Sequence, residues 1–351
     1  MSKADIKSMT LEQLGEELSA LGQPGYRARQ IFRWLHRGVT SFDEMTDQPA
    51  RLRQQLAQRY EIAAASIQKR LVSAVDGTVK YLYRFSDGAT VEAVVMQYHH
   101  GDTICVSTQA GCRMGCAFCA TGMGGLQRNL TASEILSQIT AAQIDRNKRI
   151  SNVVLMGMGE PLDNYDNVLR FLHLVSHPDG LGIGGRHISL STCGLVDQIQ
   201  RLSQEGLSLT LSVSLHAPND AIRSRLMPVN RRWNVQTLLT ACRDYIQKTG
   251  RRISFEYTVV EGVNDSPACA VELAERLRGM LCHVNLIAAN PVEGSGCQGA
   301  GRAALERFRR ILEEKGINAT IRRTLGSDIN ASCGQLRRDT TQEIRQRGDS
   351  H

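Results

Sequence analysis

The chain has 351 residues, 42% of them apolar and 22% charged, a balance that excludes a disordered or fibrous protein. Lys and Arg number 42 against 35 Asp and Glu, so the net charge is +7, which favours a polyanionic partner without naming one. No run of about 18 apolar residues and no signal-peptide core occurs, so a cytoplasmic protein with no membrane span is expected, and its ten cysteines point to metal, redox or catalytic chemistry rather than disulfide staples.

The first 60 or so residues read as helices. LEQLGEELSALG (11–22) has apolar residues at helical spacing, Pro24-Gly25 punctuates, YRARQIFRWLHRG (26–38) closes on Gly38, and PARLRQQLAQRY (49–60) follows. The period then shortens: LVSAV (71–75), VKYLYRF (79–85) and TVEAVVMQY (90–98) are short strands separated by Asp-Gly turns at 76–77 and 87–88.

From residue 104 strands and helices alternate. The strands are ICVSTQ, NVVLMG at 152–157, HISLST at 187–192, SLTLSVSLH at 208–216, ISFEYTVV at 253–260, HVNLIAAN at 283–290 and NATIRRTL at 318–325. Between them lie helices such as TASEILSQITAAQ, opened by a Thr131–Glu134 capping box, and NVQTLLTACRDYIQKTG, stopped by Gly250. Such alternation predicts an α/β fold with a parallel sheet, which six or seven units could close, or partly close, into a (β/α) barrel. A doubly wound open sheet is the competing architecture, and periodicity does not separate the two.

Both architectures bind ligands at the C-terminal ends of parallel strands. Polar or reactive residues recur there: a cysteine loop after the first strand, Glu160-Pro161 after the second, Ser191, then Ser214-Leu215-His216, Asn290, and Cys333 after the last. Each has a bland reading taken singly, as a helix cap, a strand-ending serine or a turn starter; their shared position is the signal. Cys193, Cys242, Cys269, Cys282 and Cys297 read as packing or surface thiols.

The loop GCRMGCAFCA holds Cys112, Cys116 and Cys119. A structural zinc would take a closed tetrahedral shell, usually from two separated Cys/His pairs, and no second pair is present. Three thiolates suit a [4Fe–4S] cube better, and three ligands for four irons leave one iron open to something else. Zinc and unrelated thiols remain the alternatives on spacing alone.

CxxxCxxC after the first strand of an α/β repeat resembles the radical S-adenosylmethionine superfamily. VEAVVMQY, CVSTQAGCRMGCAFCATG, VLMGMGEPLDNYDNV, HISLSTCGLV, LSVSLHAPND, NPVEG and DINASCGQL further resemble the dual-specificity RNA adenine-C2 methyltransferases of the RlmN family, as do residues 25–57 that family's N-terminal accessory segment. The resemblance implies a partial (β/α)6 barrel at 98–335, an N-terminal helical accessory domain at 1–65, a small β extension at 66–97 and a C-terminal tail at 336–351. It implies a [4Fe–4S] cluster on Cys112, Cys116 and Cys119, and S-adenosylmethionine held by Gly159, Glu160, Ser191, Ser214, Leu215, His216 and Asn290. It makes Cys333 the residue that is itself methylated, Cys105 its resolving partner and Glu92 the proton acceptor. The substrates it implies are 23S rRNA and tRNA, with electrons from an external donor such as a flavodoxin/reductase system. A Cfr-type adenine-C8 methyltransferase shares these motifs and is the alternative; a nonenzymatic iron–sulfur or zinc RNA-binding protein is the third reading.

RNA contact is expected from Tyr26, Arg27, Arg29, Arg33, Trp34, His36 and Arg37, where cations mix with aromatics. The competing reading is an exposed polar helix face with Trp34 buried.

Overall fold

A computed structural model describes residues 3–289 and 296–331. Helices α1 (Leu11–Ala20), α2 (Tyr26–Arg37) and α3 (Ala50–Arg59) form the N-terminal part. A Thr10–Gln13 capping box opens α1, and Gly38 ends α2 in the left-handed conformation that glycine adopts without strain. Leu14, Leu18, Ile31, Phe32, Leu35, Leu52 and Leu56 are buried together, the expected outcome of their helical spacing.

This part docks on helix α4 (Ala132–Arg146) through a buried cation. Lys7 Nζ donates to Ser137 Oγ at 3.0 Å, and burial lowers its pKa to about 8, with Asp5 opposing the shift. Arg170 on α5 (Tyr165–Ser176) reaches the Ser8 carbonyl at 3.2 Å and adds a second tie.

The main sheet has ten strands: β1 (Ser66–Val72), β2 (Val79–Arg84), β3 (Thr90–Tyr98), β4 (Gly101–Cys105), β5 (Ile150–Leu155), β6 (Ile188–Thr192), β7 (Thr210–Ser214), β8 (Ile253–Val259), β9 (Cys282–Ala288) and β10 (Ala319–Ile321). They neighbour one another in chain order from β1 at one edge to β10 at the other. From β4 to β10 every neighbouring pair is parallel, while β1 to β4 pair antiparallel. A doubly wound sheet reverses its strand order at a switch point, and this one does not. The architecture is an open, partial (β/α) barrel. The strands of residues 66–98 continue the same sheet.

The remaining helices are α6 (Val196–Leu202), α7 (Asp220–Leu226), α8 (Val235–Thr249), α9 (Pro267–Leu277) and α10 (Arg302–Glu314). Leu190, Leu211, Val213, Phe255, Tyr257, Val284 and Leu286 are buried in one core with Leu238, Leu273 and Phe308 of the helices. The alternate positions, Ser191, Ser212, Ser214, Ser254, Glu256 and Asn285, put polar groups on the opposite face, inside the barrel. The Thr131–Glu134 capping box and the left-handed Gly250 stop stand where the sequence predicts them.

Two strands are displaced from expectation. The first edge strand is Ser66–Val72 rather than 71–75, because residues 73–78 form a turn that Asp76 and Asp328 hold from either side. The first barrel strand stops at Cys105, and Gln109–Gly111 instead pairs with Leu126–Asn129 as a small antiparallel ribbon. That ribbon brackets the cysteine loop.

Candidate active site

The three cysteines of the loop lie close enough to act on one another electrostatically. Burial pushes the Cys112 thiol up to about 12, with Glu160, Cys119 and Asp163 adding to the shift. Cys116 is raised further, by burial first and then by Cys119 and Cys112. The loop is held by main-chain bonds, Cys112 N–H to the Gly125 carbonyl at 2.9 Å and Ala117 N–H to Leu226 at 2.9 Å. Gly111 has φ 87°, and a Cβ there would stand 2.0 Å from the Gly125 oxygen, so only glycine lets the ribbon close this tightly.

Among the described residues no three His, Cys, Asp or Glu side chains converge as a single metal ion requires. A four-iron cube is ligated at separate corners, and a spread of three thiols, Cys112 buried and Cys116 and Cys119 half-buried, fits it. Its irons would also supply the positive charge that buried thiolates need.

Glu160 follows β5 and is buried. Its N–H donates to Gln109 Oε1 at 2.8 Å, and its carboxylate accepts from Leu162 N–H at 3.1 Å and Cys193 N–H at 2.7 Å. Burial nevertheless raises its pKa, so a cationic group of a ligand would be welcome there. Gly159 beside it has φ 103°, and an added Cβ would lie 2.6 Å from Gln109 Cβ. Ser191 Oγ donates to the Leu155 carbonyl at 2.7 Å, joining the ends of β5 and β6.

His216 follows β7 with φ 55°, in the left-handed region. Its Nδ1 accepts from Thr258 N–H at 2.8 Å, which leaves the ring proton on Nε2. Burial, then Arg223, lower its pKa to about 3, so the ring is neutral and positions rather than exchanges protons. It packs edge-on against Phe118 of the cysteine loop, with ring centroids 4.8 Å apart.

Arg223 on α7 is fully buried. Its guanidinium donates to the carbonyls of Leu215 at 3.1 Å, Cys193 at 2.7 Å and Ser214 at 3.2 Å, and to Asn230 Oδ1 at 3.0 Å. One side chain thus ties the ends of β6 and β7 together below the loop.

A cavity of about 270 Å³ opens beside these strand ends. Its lining brings together Cys105 at the end of β4, Cys119 of the loop, Val94 and Met96 of β3, and Arg322–Leu325 and Ala331 of the C-terminal segment. Glu92 is on β3, and it is fully buried rather than solvated, with Lys80 Nζ 3.0 Å from its carboxylate. A larger groove of about 750 Å³ lies on the outer side of the loop, lined by Arg113, Tyr165, Arg201, Arg232 and Trp233. Those arginines are paired with Asp163, Asp166 and Asp197, and no cysteine lines the groove. The smaller cavity is the chemical one.

Residues 106–273 match the radical SAM superfamily, and residues 4–62 match the ribosomal RNA large subunit methyltransferase N-terminal domain. A probable dual-specificity RNA methyltransferase RlmN of Lachnoclostridium phytofermentans is 50% identical over 340 residues, covering 97% of this chain and 96% of that protein. One from Pelotomaculum thermopropionicum is 51% identical over 338 residues, covering 96% and 92%. The chain belongs to the RlmN family. The crystal structure of a radical SAM methyltransferase from Sphaerobacter thermophilus superposes with a TM-score of 0.90 at 45% identity, covering 95% of this chain and 98% of that one. Membership of the radical SAM superfamily brings a [4Fe–4S] cluster and S-adenosylmethionine as cofactors.

Of the residues the RlmN resemblance names, Cys112, Cys116, Cys119, Gly159, Glu160, Ser191, Ser214, Leu215 and His216 stand around one end of the barrel, linked through Gln109, Phe118 and Arg223. Asn290 and Cys333, like the tail, lie outside the described residues. The basic cluster on α2 divides. His36 is buried against Phe32 at 4.1 Å, so it cannot meet RNA, while Trp34 donates to Asp47 at 2.6 Å and Arg29 and Arg33 pair with Asp179. Tyr26 is 60% exposed.

Sequence reading passed over Arg223, Gln109, Phe118 and Lys80. Phe118 lies inside the cysteine motif, and its position was the available signal. Nothing local marks the other three.

Proposed function

We propose that this RlmN-family chain methylates carbon 2 of adenine in 23S rRNA and in tRNA, through a methylated Cys333 and a transient covalent adduct with the RNA. The observation that carries the reading is the cavity in which Cys105 meets the cysteine loop and the segment leading to Cys333. Carbon 2 of adenine lies between two ring nitrogens and is too electron-poor to attack a methyl cation donor, so an ordinary displacement is closed to it.

Cys112, Cys116 and Cys119 would hold the cluster. Gly159, Glu160, Ser191, Ser214, Leu215, His216 and Asn290 would hold S-adenosylmethionine, the buried Glu160 carboxylate facing its ammonium. When bound, the two cofactors supply one-electron cleavage of the sulfonium, and hence removal of a hydrogen atom from the S-methyl of Cys333. The remaining steps belong to the chain. Cys333 acts as a nucleophile that takes the methyl and then carries its carbon to the base. The adduct would return its unpaired electron to the cluster, and Glu92 accepts the proton from carbon 2. The Cys105 thiolate attacks the Cys333 sulfur to form a disulfide, and the electron pair of the broken S–CH2 bond, with one proton, completes the methyl group. An external reductant restores the thiols, and an external donor of the flavodoxin/reductase type supplies the electron that starts a turnover.

Residues 1–65 would serve as the RNA-binding accessory domain, with Tyr26, Arg27 and Arg37 as its contacts. The target adenine must leave its stack to reach the barrel mouth.

Mass spectrometry of rRNA and tRNA from cells lacking and carrying the gene tests the reading. 2-Methyladenosine is expected in both RNAs. 8-Methyladenosine as the main product would move the chain to the Cfr-type reaction, and no new methyladenosine would end the proposal. The covalent route has its own test: Cys105→Ala should accumulate with RNA attached, and Cys105→Ala with Cys333→Ala should carry none.

A further inference from the structure

Lys80 is 0% exposed on β2, the strand next to the sheet's edge, and a buried ammonium is expensive unless it is paired and hydrogen-bonded. Its Nζ lies 3.0 Å from Glu92 Oε2, and the carboxylate is equally buried. Lys80 also donates to the main-chain carbonyl of Asn330 at 2.7 Å. One ammonium therefore touches both the carboxylate read above as the proton acceptor and the segment three residues before Cys333.

The placement follows from sheet geometry. Leu82 pairs with Glu92 and Lys80 with Val94, so Lys80 and Glu92 are diagonal neighbours on one face. Val94 and Met96 share that face with Glu92 by the period of two, and both line the Cys105 cavity. Tyr81 and Tyr83 take the other face, bonded to Asp145 and to the Gln138 carbonyl.

The same hairpin holds the C-terminal segment at two further points. Asp76 accepts from Gly326 N–H at 2.8 Å, and Asp328 accepts from Ser73 Oγ at 2.6 Å and Ala74 N–H at 2.9 Å. Asn330 is thus fixed, and three peptide units span at most about 11 Å, which bounds the reach of the Cys333 thiol. Among the described residues, the charged and titratable groups on the elements packed against Glu92 include Lys80 on β2 and Cys105 on β4, with Asp76 in the turn before β2 and Asp328 of the C-terminal segment bonded to that turn; Ser107 Oγ donates to the Glu92 carbonyl at 2.6 Å.

We infer that Lys80 is a positioning residue of the reaction, keeping Glu92 ionised to receive the carbon-2 proton and tethering the Cys333 segment beside it. The inference rests on the covalent reading proposed above. A fully buried carboxylate deprived of its cation takes up a proton, and a protonated Glu92 cannot accept another. In the step served, once the adduct has given up its unpaired electron, the proton passes from carbon 2 to a Glu92 oxygen, and the C–H electron pair restores the aromatic purine ring. One group is thus both the counter-charge of Glu92 and the tether of Asn330.

The test is a single-turnover assay with reconstituted holoenzyme carrying methylated Cys333 and an RNA fragment, from pH 6 to 9.5. It follows covalent RNA on denaturing gels and methylated base by mass spectrometry. Lys80→Gln keeps a donor for Asn330 and loses the charge. It should still methylate Cys333 but accumulate adduct, releasing product about 100-fold more slowly at pH 7 and recovering as the pH rises. Lys80→Arg keeps the charge and should release product with the wild-type pH profile. Lys80→Met loses both contacts and should also slow methylation of Cys333; iron content and thermal unfolding confirm that each variant is folded. Wild-type release and pH profile in Lys80→Gln, or Lys80→Arg as slow as Lys80→Gln at every pH, would overturn the counter-charge, and wild-type Cys333 methylation in Lys80→Met would overturn the tether. If Cys105→Ala traps no RNA and wild-type Cys333 carries no methyl, the covalent reading fails, and this inference falls with it; adduct and methyl present with Lys80 indifferent refutes Lys80 alone.

Discussion

Arg223→Met should cost far more than an average substitution, and the structure says how much. The guanidinium donates to the main-chain carbonyls of Leu215, Cys193 and Ser214 after or at the ends of β6 and β7 and to Asn230, all at 2.7–3.2 Å, with the Trp233 carbonyl farther off at 3.5 Å. Each carbonyl left unsatisfied costs about 1–3 kcal/mol, so three give roughly 3–9. Methionine fills the space, and the guanidinium no longer has to be desolvated, which returns part of that sum; breaking a buried charged network at one partner typically costs about 3–5 kcal/mol. With a urea slope of roughly 3 kcal/mol/M, the unfolding midpoint should fall by about 1–1.5 M. Arg223→Lys keeps the charge but loses the fork that spans two strand ends, and should fall between. Because the same carbonyls flank Leu215 and Cys193, Arg223→Met should also take up less iron and sulfide on anaerobic reconstitution. Urea unfolding by circular dichroism on the metal-free protein, followed by iron and sulfide assay, measures both. A wild-type midpoint with full iron loading would refute the argument.

Replacing Cys112, Cys116 and Cys119 by Ala should abolish uptake of about four irons and the broad absorbance near roughly 400 nm that thiolate-ligated clusters show, with the fold kept. Tight stoichiometric zinc in the wild type, without iron uptake, would contradict the cluster. Gly159→Ala places a side chain at φ 103°, 2.6 Å from Gln109 Cβ; left-handed strain of about 1–2 kcal/mol and overpacking of about 1–3 should lower stability by roughly 2–5 kcal/mol and weaken S-adenosylmethionine binding, read by unfolding and calorimetry. His36 is buried, and burial lowers its pKa to about 4 from 6.5. Between those values the unfolded chain binds the proton and the folded one does not, so stability rises with pH across that window. His36→Gln should flatten this slope by on the order of 3 kcal/mol, compared by urea titrations at pH 4 and 7.

What was legible in the sequence follows the range of the forces involved. The Thr131–Glu134 capping box and the Gly38 and Gly250 stops are local, and each stands where it was read. The strand-end residues were legible because the parallel α/β rule converts position along the chain into position in space. The first edge strand was misplaced because Ser66–Val72 lies mostly exposed and carries no apolar alternation, while the turn after it is fixed by Asp328, 255 residues from Ser73. His36 misled for a similar reason: it reads as part of a basic aromatic stripe, and only the packed helices show its ring turned inward onto Phe32.

Lys80 and Arg223 were invisible for a deeper reason. A charged residue in a strand or on a helix reads as a solvated face, and no periodic signal separates a buried cation from an exposed one. Both carry their charge into the protein because something across the chain receives it: Arg223 takes the carbonyls of two strand ends, and Lys80 takes Glu92 and Asn330. Replacing the whole Lys80–Glu92 pair by apolar side chains of the same volume would cost little stability, since desolvation offsets much of what an ion pair returns, whereas removing one partner alone leaves the other unsatisfied. Such groups therefore speak for function, and their positions agree. Glu160 and Arg223 stand at the strand ends and the Lys80–Glu92 pair on the face whose Val94 and Met96 line the Cys105 cavity, each buried and hydrogen-bonded or paired within the protein. A site that must generate and contain a reactive carbon has to exclude water while keeping fixed charges in place, and the cost of burying those charges is carried by the apolar core beneath them.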